Sequence, residues 1–159
     1  MYHMVQRIDV AVRSTADPAT IHALLVDGAS WPTWSPLGSF HLEQPGDIRV
    51  FRTGRTTSRE EVVEVVPGRR FSYALLSGLP LRGYRADVDL EPDSTGTVIH
   101  WRSSFRPKVP GTGWLYRLAL ATFIRRCARG LAAHAAQLTS SGGADPAAPG
   151  RSPAPTPAP

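Results

Sequence analysis

The stretch that most constrains the fold runs from Gly113 to Leu138. It holds no proline, and apolar side chains recur at Leu120, Ile124, Cys127, Leu131 and Leu138, at steps of 4, 3, 4 and 7. Such steps return to one face of an α-helix. Arg117, Arg125, Arg126 and Arg129 gather on the opposite face. A long helix with one apolar stripe needs a broad apolar surface to lie on, and the preceding chain offers one.

Upstream, short apolar-rich segments alternate with turn residues. Tyr2 to Arg13 alternates through Val5, Ile8, Val10 and Val12 and reads as a first strand. Asp17-Pro18 places an N-cap residue before a proline at the first helical position, starting a short helix to about Val26. Ala29 to Trp34 reads as a second short helix, closed by Pro36. Six further strands follow: Ser39 to Glu43, Asp47 to Thr53, Thr57 to Val66, Arg70 to Ser77, Tyr84 to Glu91 and Thr97 to Arg106, separated by glycine and proline turns. This spacing predicts an antiparallel meander. Laying the long helix in the concavity of a curved sheet buries both apolar faces at once.

Alternation along the strands then says what the helix meets. Phe71, Tyr73 and Leu75 share a face. Tyr84, Ala86, Val88 and Leu90 face inward against Arg85, Asp87, Asp89 and Glu91. Ile99, Trp101, Ser103 and Phe105 oppose His100, Arg102, Ser104 and Arg106. Thr57 to Val66 is ambiguous: Glu60 and Glu64 share a face with Val62 and Val66, whereas Arg59 and Glu61 share one with Val63 and Val65. Either way an ionisable group turns inward, where it needs a partner or shifts its pKa.

Composition closes several alternatives. A chain of 159 residues fits one domain with a sizeable core. Cys127 is the only cysteine, so no disulfide forms within the chain, which fits a reducing compartment. The five histidines are scattered and no metal-ligand spacing occurs, so neither a metal nor a cofactor is expected. No apolar run of signal-peptide type opens the chain. The most apolar stretch, Trp114 to Ile124, carries Arg117 and is far short of a membrane span, so the chain reads as soluble and cytoplasmic, without a transmembrane segment. The net charge of +5 invites nucleic acid, but no basic run or binding motif concentrates it. It reads as the exterior of an apolar container, on outward strand positions and the back of one helix. From Thr139 to Pro159 only Ser, Gly, Ala, Pro, Thr, Asp and Arg occur, so residues 1–138 read as one domain and 139–159 as a disordered tail.

Four strings stand in a suggestive order: W-P-T-W-S-P at Trp31 to Pro36, R-E-E-V-V-E at Arg59 to Glu64, P-G-R-R-F-S-Y at Pro67 to Tyr73, and G-T-V-I-H-W at Gly96 to Trp101, before the long helix. Together they resemble the START/polyketide cyclase (SRPBCC) superfamily over about Val5 to Leu138. The resemblance implies an α+β helix-grip fold: a curved antiparallel seven-stranded sheet, two short helices and a long C-terminal helix. It implies a deep apolar cavity between sheet and helix. Members of the superfamily bind lipids, sterols, polyketides or hormones, and some cyclise or dehydrate polyketide chains. No catalytic motif carries over residue by residue.

The expected function is therefore binding of a small hydrophobic, lipid-like or polyketide-like molecule. Tyr73, Leu75, Tyr84, Val88, Trp101, Phe105, Leu120, Ile124 and Cys127 are the candidate ligand-binding residues. The alternative is a cyclase or dehydratase using a polar pair such as Glu60 with Tyr73. A third reading is an interaction module. Trp114, Leu115 and Leu118 widen the apolar arc of the first helical turns, and suit a cavity lip, a membrane surface or the second subunit of a homodimer. Trp31 and Trp34 read as packing residues or a cavity rim, and His134 and Cys127 as core residues.

Overall fold

The computed structural model describes residues 4–44 and 48–141. One seven-stranded antiparallel sheet is formed by β1 (Gln6–Ser14), β2 (Ser39–Glu43), β3 (Ile48–Thr53), β4 (Thr56–Val66), β5 (Arg70–Ser77), β6 (Leu81–Asp93) and β7 (Gly96–Pro107). Its order is β1-β7-β6-β5-β4-β3-β2. Only the β1–β7 pairing is non-sequential, so the first strand closes the meander's far edge. The helices are α1 (Pro18–Val26), α2 (Trp31–Trp34) and α3 (Gly113–Ser141), with a 3-10 turn over Gly28–Ser30 leading into α2. The architecture is the expected α+β helix-grip.

The boundaries follow local chemistry. Asp17 caps α1, accepting a bond of 2.9 Å from the Thr20 amide ahead of Pro18. The β6 strand begins at Leu81 rather than Tyr84, because a bulge between Arg82 and Arg85 lets it pair beyond the irregularity. Gly83 sits there at φ 62°, a conformation that side-chain-bearing residues rarely adopt.

α3 corrects the expectation at its end. It continues through Ser141, three residues beyond Leu138, and Leu138 is exposed rather than part of the buried stripe. The rest of the tail, 142–159, lies outside the described residues. The buried stripe is Ile124, Cys127, Ala128, Leu131, Ala132 and Ala135. Small residues dominate it because the helix lies close to its neighbours. At Gly130 an added Cβ would stand 1.8 Å from the Trp34 carbonyl oxygen, so no larger residue fits where α3 crosses α2. The buried Ser14 hydroxyl ties β1 to α3 by donating to the Ala132 carbonyl at 2.8 Å.

The sheet's two faces divide as alternation requires. Phe71, Tyr73, Tyr84, Ala86, Val88, Leu90, Ile99, Trp101 and Phe105 are buried beneath the helices. The ambiguous strand β4 is resolved by its irregularities. Glu60 and Val62 point inward, and a register shift between Val62 and Glu64 then turns Glu64 to the outer face. Many of the outward charges form ion pairs there. Among the described residues no helix is long and apolar enough to cross a membrane.

Candidate functional site

Trp31 and Trp34 are core residues. Trp31 is the hub of an aromatic cluster, with ring centroids 4.7 Å from Trp34, 5.6 Å from Phe51, 5.7 Å from Trp101 and 5.8 Å from Tyr73. Its indole Nε1 donates to the Leu25 carbonyl at 3.0 Å, one of the last carbonyls of α1. That same oxygen accepts 3.2 Å from Arg49 Nη1. A cation at a helix C-terminus satisfies free carbonyls and opposes the helix dipole.

Arg49 overturns one expectation. It is a strand arginine but not an exterior one, being only 3% exposed. Its guanidinium carbon lies 5.0 Å from the Trp31 ring centre, 5.1 Å from Phe71 and 5.6 Å from Phe51, a cation held on aromatic faces. Burial lowers its pKa to about 10, opposed by the negative potential of Glu60. The readable signal was local: Arg49 lies two residues before Phe51, on the same side of β3.

Glu60 is paired with Arg49 across the β3–β4 ladder. It is 9% exposed, and its Oε2 makes no hydrogen bond; Arg49 Nη2 likewise has none. Burial pushes the Glu60 carboxyl up to about 7, and the nearby Arg49 charge holds it from going higher. Glu60 therefore holds its proton to far higher pH than an exposed carboxyl does.

Between sheet and helix lies a cavity of about 360 Å³. Ser58, Glu60, Tyr73, Leu75 and Tyr84 form its sheet wall, and Tyr116, Ala119, Leu120 and Phe123 its α3 wall. Thr53, Thr56, Leu37 and Leu79 complete the rim. The lining is mostly apolar, with Glu60 its only charged side chain among the described residues. Tyr73 and Tyr84 lie with ring centroids 6.2 Å apart. Burial raises both phenols, so they remain protonated donors at neutral pH.

Of the sequence candidates, Glu60, Tyr73, Leu75, Tyr84 and Leu120 meet at this cavity. Val88, Trp101, Phe105, Ile124 and Cys127 are packed in the adjoining core and do not line it. Cys127 is fully buried, and desolvation drives its thiol far up, which suits a core residue and not a nucleophile. Sequence reasoning missed Tyr116, Ala119 and Phe123. They form one flank of α3, beside the buried stripe, and a helical wheel extended by one position would have found them. Among the described residues, no three His, Cys, Asp or Glu side chains cluster to hold a metal ion.

With the geometry in place, the chain can be set beside known proteins. Residues 5–138 match the family model described as polyketide cyclase / dehydrase and lipid transport, and the chain belongs to that family. A START superfamily protein from Mycobacterium smegmatis is similar in structure, with TM-score 0.72 and 14% identity over 83% of this chain and 98% of that one. The Zhui aromatase/cyclase from Streptomyces sp. R1128 gives TM-score 0.70 and 13% identity over 88% of this chain and 99% of the other. The di-domain aromatase/cyclase StfQ of the steffimycin biosynthetic pathway gives 0.71 and 19% over 87% of this chain, which spans 53% of StfQ. No curated protein sequence matches.

Proposed function

We propose that this protein binds one small, largely apolar, ring-bearing molecule in the cavity between sheet and α3. The observation that carries this reading is the buried, unpartnered Glu60 Oε2 on the wall of a mostly apolar space. A carboxylate without a partner is costly in a filled core, and a ligand hydroxyl or amine supplies the missing donor. At about 360 Å³ the space suits a compact ring system better than a long acyl chain. Glu60 and the Tyr73 and Tyr84 phenols fix the polar end, while Leu75, Leu120 and Phe123 hold the apolar body.

The test is native mass spectrometry and fluorescence titration against a panel of bicyclic phenols, aryl amines and fatty acids. Saturable one-to-one binding of ring compounds is expected. Glu60→Gln should weaken donors selectively, and Leu120→Trp should fill the space and abolish binding. Failure of every panel member up to its solubility limit would overturn the reading.

A second reading is catalysis on a polyketide-like substrate. It is favoured by a carboxyl titrating near neutrality in the same cavity as protonated phenols. Glu60 would take a proton from carbon beside a carbonyl, while Tyr73 donates a hydrogen bond to that carbonyl oxygen. Turnover that vanishes in Glu60→Gln while binding persists would establish it. Binding without any product would leave the carrier reading alone.

A further inference from the structure

The first turns of α3 expose Trp114 at 59%, Leu115 at 53% and Leu118 at 56%, and Val109 just before them at 51%. The approach to the helix is held as a unit: Thr112 bonds back to Val109, and the Leu115 and Tyr116 amides bond to the Thr112 carbonyl. Trp114, Leu118, Arg125 and Arg129 follow steps of 4, 7 and 4 along one outward face, and Arg126 stands beside them. The face is thus apolar at its start and cationic about 16 Å further on. Along the chain here the charge has one sign. From Gly96 to Ala144 there is no Asp or Glu, while Lys108 and Arg117 flank the apolar cluster. The ion pairs among the described residues join strand residues, and none involves α3.

We propose that this face docks on an anionic lipid bilayer, with Val109, Trp114, Leu115 and Leu118 entering the interface and Arg125, Arg126 and Arg129 resting on lipid phosphates. An exposed tryptophan and leucines beside arginines that form no ion pair among the described residues match an interfacial surface on both counts. A second copy of the chain is the poorer occupant. A two-fold contact would set the same acid-free arginine face against itself. Tyr116 and Ala119 of the same turns line the cavity, Ala119 standing one turn beyond Leu115. Docking therefore places a single helix between the bilayer and the cavity, whatever the cavity holds.

The test is sedimentation of the full chain with vesicles of phosphatidylcholine alone and of phosphatidylcholine with about a third phosphatidylglycerol. Trp31, Trp34 and Trp101 are buried, so a blue shift on binding, and its quenching by brominated lipid, reports Trp114. Binding to the anionic vesicles only is expected, lost as salt rises to about 0.5 M. L115S/L118S should weaken it about tenfold or more by removing buried apolar groups. R125E/R129E should abolish the preference for anionic lipid. These side chains are exposed and outside the cavity wall, and circular dichroism checks that the variants fold. No binding to anionic vesicles, wild-type binding by L115S/L118S, or a self-association that buries Trp114 and dissolves in L115S/L118S would each overturn the proposal.

Discussion

The two faces of the sheet use the same residue types to opposite effect. Outside, Arg70 grips Asp89 at 2.7 Å and 3.2 Å, Arg85 bridges Glu64 and Asp87 at 3.1 Å each, and Ser72 donates to Asp87 at 2.5 Å. Every one of these charges has a partner and sits at the edge of water. Inside, Arg49 and Glu60 are neighbours in register, yet each leaves a polar atom unbonded. The outer pairs are numerous, screened and individually weak. The inner two are few and desolvated, and an apolar pair of similar volume would hold the fold about as well. Residues that cost stability in a core are candidates for function, whereas a well-paired surface network needs no further explanation.

Substitutions on either side sharpen this contrast. The largest effect belongs to Arg49→Met. At pH 8 it strands the Glu60 charge and removes a donor from the Leu25 carbonyl, so chemical denaturation should show a loss of about 3–5 kcal/mol. Adding Glu60→Leu should recover most of that loss. If the double variant is no better than the single one, the pair is not the source of the cost.

Next is Glu60→Gln. An acid whose folded pKa is raised from 4.5 to about 7 keeps its proton in the folded state while the unfolded state releases it. Stability contributed by Glu60 therefore falls as pH rises through that window, by about 3 kcal/mol once above it. Thermal melts should find Glu60→Gln close to wild type at pH 5 and clearly more stable at pH 8. Equal melting shifts at both pH values would show that Glu60 ionises freely and is not desolvated.

A smaller effect is expected at Ser103. Its buried Oγ lies near the Tyr84 phenol without completing a hydrogen bond. Ser103→Ala should be neutral or stabilising by about 1 kcal/mol in urea titration, and a clear loss would reveal a hidden partner. The smallest effect belongs outside. Arg85→Ala removes contacts to both Glu64 and Asp87 at half-exposed positions and should cost less than about 1 kcal/mol, fading in about 1 M salt. A salt-insensitive loss there would break the contrast between the faces.

Much of this was legible in the order of residues. Seven strands, two short helices and a long one follow from period, turn chemistry and one cap, and the inward sets of β5, β6 and β7 follow from strict alternation against charge. The cavity was legible only in part. Tyr73, Leu75, Tyr84 and Leu120 were on the right face, but whether an inward residue lines a space or fills the core depends on how far the helix stands from the sheet at that point. Trp101, Phe105, Ile124 and Cys127 are buried in a filled interior, whereas Tyr84 and Leu120 border the cavity. No local pattern encodes that difference.

Arg49 and Glu60 mark the same boundary more sharply. That an ionisable group from β4 turns inward is written in the chain, because both faces of that strand carry charge. That the group is Glu60 follows from packing, through the register shift that sends Glu64 outside. Packing also decided that the arginine opposite is buried, through the α1 carbonyl and the aromatic rings that converge on it. Periodicity is a property of neighbours along the chain, and the sequence carries it. The meeting of a helix end, a ring cluster and two strands is a property of neighbours in space, and exists only once the chain has closed.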